Sequence, residues 1–214
     1  TRELAAMANK VGAIELDNRL PAVLAETLRD FDNVKVVQAD VMEVDLHQLI
    51  QDEFSGLDVL VCANLPYYIT TAIIEKVVLG NFGIDEMIVM VQKEVALKMT
   101  GIYKNPLLLM IKDMGKVEYL FTVNKNVFLP APNVDSAIIK IVLTKKPNLK
   151  LYDILNVCFK QRRKTIYNNL KKEYSNALEI LEKCKIVTKK GSEELSLNDF
   201  KNITDMIEMH IIQW

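Results

Sequence analysis

Apolar positions along the chain follow two periods, and the chain divides where one gives way to the other. Residues 57–63 form a short apolar run broken only by Asp58, the pattern of a strand buried on both faces, and helical spacing resumes at Ile73, Ile74 and Val77. The same alternation fills the first two-thirds of the chain. Residues 11–15, 34–39, 85–92, 117–124 and 134–143 read as strands. Between them, 19–29, 71–79 and 93–99 carry helical spacing, and 1–10 looks like the inside of an amphipathic helix with no N-cap before it. Residues 107–114 are apolar with helix and strand both open, and Pro130 and Pro132 make 128–132 a rigid extended segment. Strands alternating with helices predict an α/β domain.

Strand signals stop at the polar break Lys145-Lys146-Pro147-Asn148. Beyond it, residues 151–159, 165–170, 177–181 and 198–212 have helical period, the last behind a Ser196 cap. The expected organisation is a sheet-bearing domain over 1–146 and a small all-helical C-terminal domain over 147–214.

Composition narrows the classes. The 214 residues are 50% hydrophobic and 26% charged, an ordinary globular balance with room for a real core. The net charge of -1 means that nucleic-acid binding has to come from a local patch. Cys62, Cys158 and Cys184 show no metal spacing and fit a reducing compartment. His47 and His210 are far apart in sequence, so no metal site is expected. No run approaches a membrane span and no signal peptide is present, so the chain is expected in the cytoplasm with no membrane partner. Its start inside a helical pattern suggests that an N-terminal piece is missing.

The candidate chemistry lies at strand ends. The apolar run 57–63 stops abruptly at Asn64-Leu65-Pro66-Tyr67-Tyr68, a polar amide, a proline and two aromatics. Open α/β sheets bind ligands at the carboxyl ends of their strands. Proline lacks an N–H, so the carbonyls around Pro66 should escape helix hydrogen bonding and, with the Asn64 side chain, face a substrate. An ordinary strand-to-helix turn is the plainer reading of these residues. Glu15 ends the strand 11–15, where an acid can hold ribose hydroxyls or cap the following helix. Asp40, after the strand 34–39, can accept from an exocyclic amine or serve a turn. Lys160, Arg162, Arg163, Lys164, Lys171 and Lys172 fall within thirteen positions with no acid among them. That run is either a solvated helix face or a phosphate-contacting surface.

Five segments together resemble the rRNA adenine N6-dimethyltransferase family. They are Asn64-Leu-Pro-Tyr-Tyr-Ile-Thr70, Val91-Gln-Lys-Glu-Val-Ala96, Val127-Phe-Leu-Pro-Ala-Pro-Asn-Val-Asp-Ser136, Phe159-Lys-Gln-Arg-Arg-Lys-Thr165 and Glu194-Leu-Ser-Leu-Asn-Asp-Phe200. They occur in the family's order from Thr1 to about Phe200, and the nearer branch is the bacterial small-subunit one rather than the erythromycin-resistance one. The resemblance implies a Rossmann-like S-adenosylmethionine-dependent methyltransferase sheet with a small helical C-terminal domain. It assigns Asn64, Leu65, Pro66 and Tyr67 to catalysis, with Tyr67 and Phe128 stacking on the target base. Glu15 would hold the cofactor's ribose and Asp40 its adenine amine with the Val41 backbone beside it, and Leu16 and Asn64 would also border the cofactor. Lys160, Arg162, Arg163 and Lys164 would contact RNA. The implied partner is small-subunit rRNA in an assembling 30S particle, bound by a monomer without metal.

Three departures accompany the resemblance. The family's Gly-rich cofactor loop, which lies just upstream of a segment like Thr1-Arg-Glu-Leu, is absent, and no Gly-x-Gly occurs. A sheet without that strand lacks a central member. The segment 100–106 is shorter than the family's loop, and Ala72 stands where proline is common. The expected activity is N6,N6-dimethylation of small-subunit adenosines. The alternatives are a catalytically impaired RNA-binding assembly factor and a large-subunit methyltransferase giving macrolide resistance.

Overall fold

The computed structural model describes residues 1–211. Helix α1 (Arg2–Met7) leads into β1 (Val11–Glu15), α2 (Leu20–Thr27), β2 (Val34–Gln38), α3 (Leu46–Phe54) and β3 (Val59–Asn64). Then come α4 (Thr70–Leu79), β4 (Ile84–Gln92), α5 (Lys93–Thr100), α6 (Pro106–Met114), β5 (Gly115–Val123) and β6 (Ser136–Leu143). Four helices close the described chain: α7 (Leu149–Phe159), α8 (Ile166–Leu170), α9 (Ala177–Lys183) and α10 (Leu197–Ile211). The α/β alternation and the helical end both match the pattern in the sequence. The expected end of the last helix at Ile212 lies outside the described residues.

The strands form two sheets rather than one. β1 and β2 pair in parallel, from Val11 opposite Val34 to Glu15 opposite Gln38. A four-stranded sheet has the order β3-β4-β6-β5, parallel between β3 and β4 and antiparallel thereafter. Among the described residues no ladder joins the two, so one edge of β1 and one of β3 have no strand partner.

The core explains which elements were legible. Met87, Val89 and Val91 of β4 and Ala137, Ile139 and Ile141 of β6 are fully buried, at alternate positions of each strand. Helix α6 covers this sheet with Leu107, Leu108, Leu109, Met110, Ile111 and Met114 all buried. Each such aliphatic side chain removed from water contributes about 1.5–3 kcal/mol. Burial nearly all round erases the 3.6-residue period, which is why this segment was ambiguous. Its start is set locally: the Asn105 side chain accepts from Leu108 N at 2.7 Å, and Pro106 occupies the first turn, where its missing N–H costs nothing.

Helix α3 was not anticipated. Asp45 caps it by accepting from Gln48 N at 3.0 Å, and Leu46, Leu49, Ile50 and Phe54 share a face. β6 begins at Ser136, two residues later than its pattern suggested. Asp135 is used otherwise: its carbonyl accepts from Lys93 N at 3.0 Å and its carboxylate from Lys125 N at 3.0 Å. The helices after residue 148 share the sheet's core through Leu151, Leu155 and Phe200. The Ser196 cap is present, with Ser196 Oγ accepting from Asp199 N and the Asp199 carboxylate accepting in return from Ser196 N. Cys158 is buried in this core, which pushes its thiol up to about 12 and leaves it a small hydrophobe rather than a nucleophile.

Gly115 joins α6 directly to β5. A Cβ there would sit 1.8 Å from the Val142 carbonyl oxygen of β6. Gly115→Ala is therefore expected to force the β5–β6 ladder apart at a cost of about 3 kcal/mol. In a thermal melt this corresponds to a fall of roughly 6–12 °C. An unchanged melting temperature would show that β5 can shift freely.

Candidate active site

β3 delivers Asn64 to the carboxyl end of the parallel β3–β4 pair, opposite Met90. Leu65 N donates to the Met90 carbonyl at 3.3 Å, and the Leu65 side chain is buried, so the turn is anchored from beneath. The Asn64 side chain is exposed. Neither it nor the Leu65 carbonyl takes part in a hydrogen bond among the described residues. The Pro66 carbonyl is different: it accepts from Ile69 N at 3.2 Å and from Thr70 Oγ1 at 2.9 Å, starting α4. The expectation that the carbonyls around Pro66 stay uncommitted thus holds for Leu65 and fails for Pro66. A proline has no N–H to give, but its carbonyl is free to accept.

Tyr67 is half-buried, and its hydroxyl lies 2.6 Å from Ser136 Oγ. Ser136 is fully buried at the start of β6, opposite Gln92 of β4. This bond ties the Asn64–Tyr67 turn to the segment carrying Phe128, since that segment runs from Phe128 to Ser136. Phe128 is half-buried after a 3₁₀ turn (Lys125–Val127), held by Phe128 N donating to the Lys125 carbonyl at 3.3 Å. Beside the same segment, Gln92, Lys93, Lys125 and Asn133 help line an open cavity of ≈ 380 Å³. Ser136 closes the 127–136 segment, and nothing in the sequence marks it as a partner of Tyr67. Its full burial beside a phenol 69 positions away was not visible in the sequence.

The second set of residues lies at the ends of β1 and β2. Glu15 Oε1 accepts from Asp17 N at 2.8 Å. It does not cap α2, whose N-cap is Arg19 with no side-chain cap bond, so the capping reading of Glu15 is set aside. Arg19 in turn holds the Asp17 carboxyl down to about 2 through its side-chain hydrogen bonds. Asp40 Oδ1 accepts from Met42 N at 2.8 Å, and its carbonyl accepts from Glu43 N and Val44 N at 2.9 and 3.1 Å. Each carboxylate therefore spends one oxygen on its own turn and keeps the other without a donor among the described residues. Two adjacent strand ends, each offering a free carboxylate oxygen, suit the ribose hydroxyls and exocyclic amine of an adenosyl group. Leu16 is exposed at 59%, and Val41 is half-buried against the core.

The basic run is less free than its sequence implied. Lys160 pairs with Glu173 at 3.2 Å. Arg162 binds the Glu193 carboxylate and the Tyr103 hydroxyl, with its guanidinium 4.7 Å from the Tyr103 ring centroid. Lys104 adds to this junction, donating to the Glu193 and Leu195 carbonyls at 2.9 and 2.8 Å. Folding brings in acids that the run itself lacks. Arg163 and Lys164 are exposed and form no ion pair among the described residues. No group of three or more metal-ligating side chains occurs among the described residues, and no helix is long and apolar enough to cross a membrane.

Two parallel strand pairs, β1–β2 and β3–β4, with Asn-Leu-Pro-Tyr at one strand end and a single acid at each of two others, fit the site pattern of a Rossmann-like methyltransferase. Solved structures agree on the fold. The dimethyladenosine transferase of Plasmodium falciparum superposes with a TM-score of 0.75 at 24% identity, covering 97% of this chain and 84% of that one. The 23S rRNA methyltransferase ErmE gives 0.68, also at 24%, covering 97% and 85%. Sequence carries the comparison further. The chain is 36% identical to the ribosomal RNA small subunit methyltransferase A of a Geobacillus species, over 99% of this chain and 79% of that protein. It is 37% identical to the enzyme of that name from Bacillus thuringiensis, over 98% and 78%. Residues 1–209 match the ribosomal RNA adenine dimethylase family, and the chain belongs to that family.

Proposed function

We infer that the protein transfers two methyl groups from S-adenosylmethionine to the N6 of adenosines in small-subunit rRNA. Family membership and the small-subunit methyltransferases among its relatives support this reading over a large-subunit substrate. The structural observation that carries it is the uncommitted pair of acceptors at the end of β3, the Asn64 side chain and the Leu65 carbonyl.

The chemistry needs such a pair. The N6 lone pair of adenine is delocalised into the ring and is a poor nucleophile. Two acceptors holding its two N–H groups draw the nitrogen towards tetrahedral geometry, and fixed dipoles stabilise the positive charge that develops there. Tyr67 and Phe128 stack on a base turned out of its helix, each such contact contributing about 1–3 kcal/mol. The free oxygens of Glu15 and Asp40 hold the adenosyl group. When bound, S-adenosylmethionine supplies the electrophilic methyl, and the residues' own task is in-line positioning. Once one methyl is in place a single N–H remains, so the second transfer relies on one acceptor and on the aromatic walls.

The finer proposal is a cytoplasmic monomer acting on an assembling small subunit, with the catalytic part ending near residue 146. Arg163 and Lys164, the two of the four expected RNA contacts that form no ion pair among the described residues, make the phosphate contacts. Incubation of the protein with labelled S-adenosylmethionine and isolated ribosomal subunits lacking this modification tests the substrate. Label should enter the small subunit, and label confined to the large subunit would overturn the reading.

A further inference from the structure

We propose that Lys76 is a positioning residue for the cofactor's adenine, acting by caging the turn that follows Asp40. Its Nζ donates to the Val41, Met42 and Val44 carbonyls at 2.9, 2.8 and 2.8 Å. An ammonium group has three donors and no acceptor, so this cage uses all of them. Lys76 forms no ion pair with a carboxylate among the described residues, and its side chain is half-buried. A lysine that forgoes a carboxylate partner to hold three backbone oxygens organises a loop rather than neutralising a charge.

The turn is built from both sides. Its amides face inward, with Met42 N on the Asp40 carboxylate and Glu43 N and Val44 N on the Asp40 carbonyl. Its carbonyls face Lys76. Removing the ammonium would leave three carbonyls clustered with no donor, and the turn that aims Asp40 and the Val41 backbone would lose its support. The cage also has a consequence for register. Lys76 lies in α4, the helix that starts directly after Asn64-Leu-Pro-Tyr67. One rigid helix therefore carries the catalytic turn at its start and the clamp on the adenine turn two turns later. That fixes the adenine end of the cofactor relative to the methyl-accepting site.

The inference rests on the assignment of Asp40 to the cofactor's adenine, and the experiment separates the two. Lys76→Met keeps the aliphatic stem and removes the donors. Calorimetric titration of S-adenosylhomocysteine, and of 5′-methylthioadenosine as a probe lacking the amino-acid end, should show about tenfold weaker binding of both. With S-adenosylmethionine, the KM for cofactor should rise by a similar factor. The kcat at saturating cofactor and the KM for rRNA should stay within about twofold. Wild-type affinity for both probes, or a fall in kcat at unchanged cofactor KM, overturns the inference. Asp40→Ala is the control: if it leaves 5′-methylthioadenosine binding unchanged, the adenine assignment itself fails. If Asp40→Ala weakens the probe and Lys76→Met does not, only the role of Lys76 fails. Should Lys76→Met not fold, Lys76→Gln, which can reach only part of the cage, carries the same two outcomes.

Discussion

Asn64→Ala is expected to lower methyl transfer at least a hundredfold while leaving rRNA affinity within about twofold. The size follows from what is lost. The amide oxygen is one of two acceptors able to hold N6, and removal of one preorganised group aimed at developing charge costs about 10²–10³ in kcat. The same position contributes little to docking, because RNA affinity comes chiefly from phosphate contacts. Folding should be indifferent as well: the side chain is exposed, and the turn is anchored by Leu65 N on the Met90 carbonyl and by the Pro66 carbonyl. Single-turnover methylation and a filter-binding titration on the same preparation check both halves. Equal loss of transfer and binding would remove Asn64 from the catalytic role.

The second large effect is expected from Arg163→Glu combined with Lys164→Glu. Reversing two exposed charges that form no ion pair among the described residues should weaken rRNA binding about 10–100-fold at moderate salt. It should also flatten the log-affinity against log-salt line by about two phosphate contacts' worth. Arg162→Glu should behave differently. Arg162 bridges Glu193 and Tyr103, so its replacement sets two carboxylates together at the junction between the 101–105 loop and the helical end, and stability should fall along with binding. A salt slope unchanged in the Arg163/Lys164 double variant would refute the phosphate-contact assignment.

What the sequence disclosed and what it hid divide along physical lines. The apolar run of β4 was legible because a buried strand face needs side chains of one kind. Strand β3 departs from the expected burial on both faces: Val59, Val61 and Ala63 are half-buried, and Leu60 and Cys62 on the other face are exposed. The carboxyl ends of β1, β2 and β3 stand out in the sequence as candidate sites because Glu15, Asp40 and Asn64 break the apolar pattern where open sheets bind ligands. Helix α6 was ambiguous because nearly its whole surface is buried, and α3 was missed although Leu46, Leu49 and Ile50 have helical spacing behind Asp45. The gap between the two sheets fits the expected lack of a central strand, whereas the order β3-β4-β6-β5 is not legible in the sequence, since strand order depends on contacts far apart in it. The same holds at the site. Ser136 beneath Tyr67, Lys76 beneath the Asp40 turn and Glu193 against Arg162 are partners that only the fold brings near, while Glu173, the residue just after the basic run, folds back onto Lys160. An acid-free stretch of sequence is thus a poor guide to an unpaired surface, and half of the four expected RNA contacts are already occupied by carboxylates.

The most direct measurement is the identity of the methylated nucleoside. The protein is incubated with S-adenosylmethionine and unmethylated small subunits, the rRNA is digested to nucleosides, and the products are resolved by mass spectrometry. N6,N6-dimethyladenosine, with N6-methyladenosine appearing only transiently, is the expected result. A methyl group on any other base or ring position, or accumulation of N6-methyladenosine as the final product, would contradict the role assigned to Asn64, Leu65 and Tyr67.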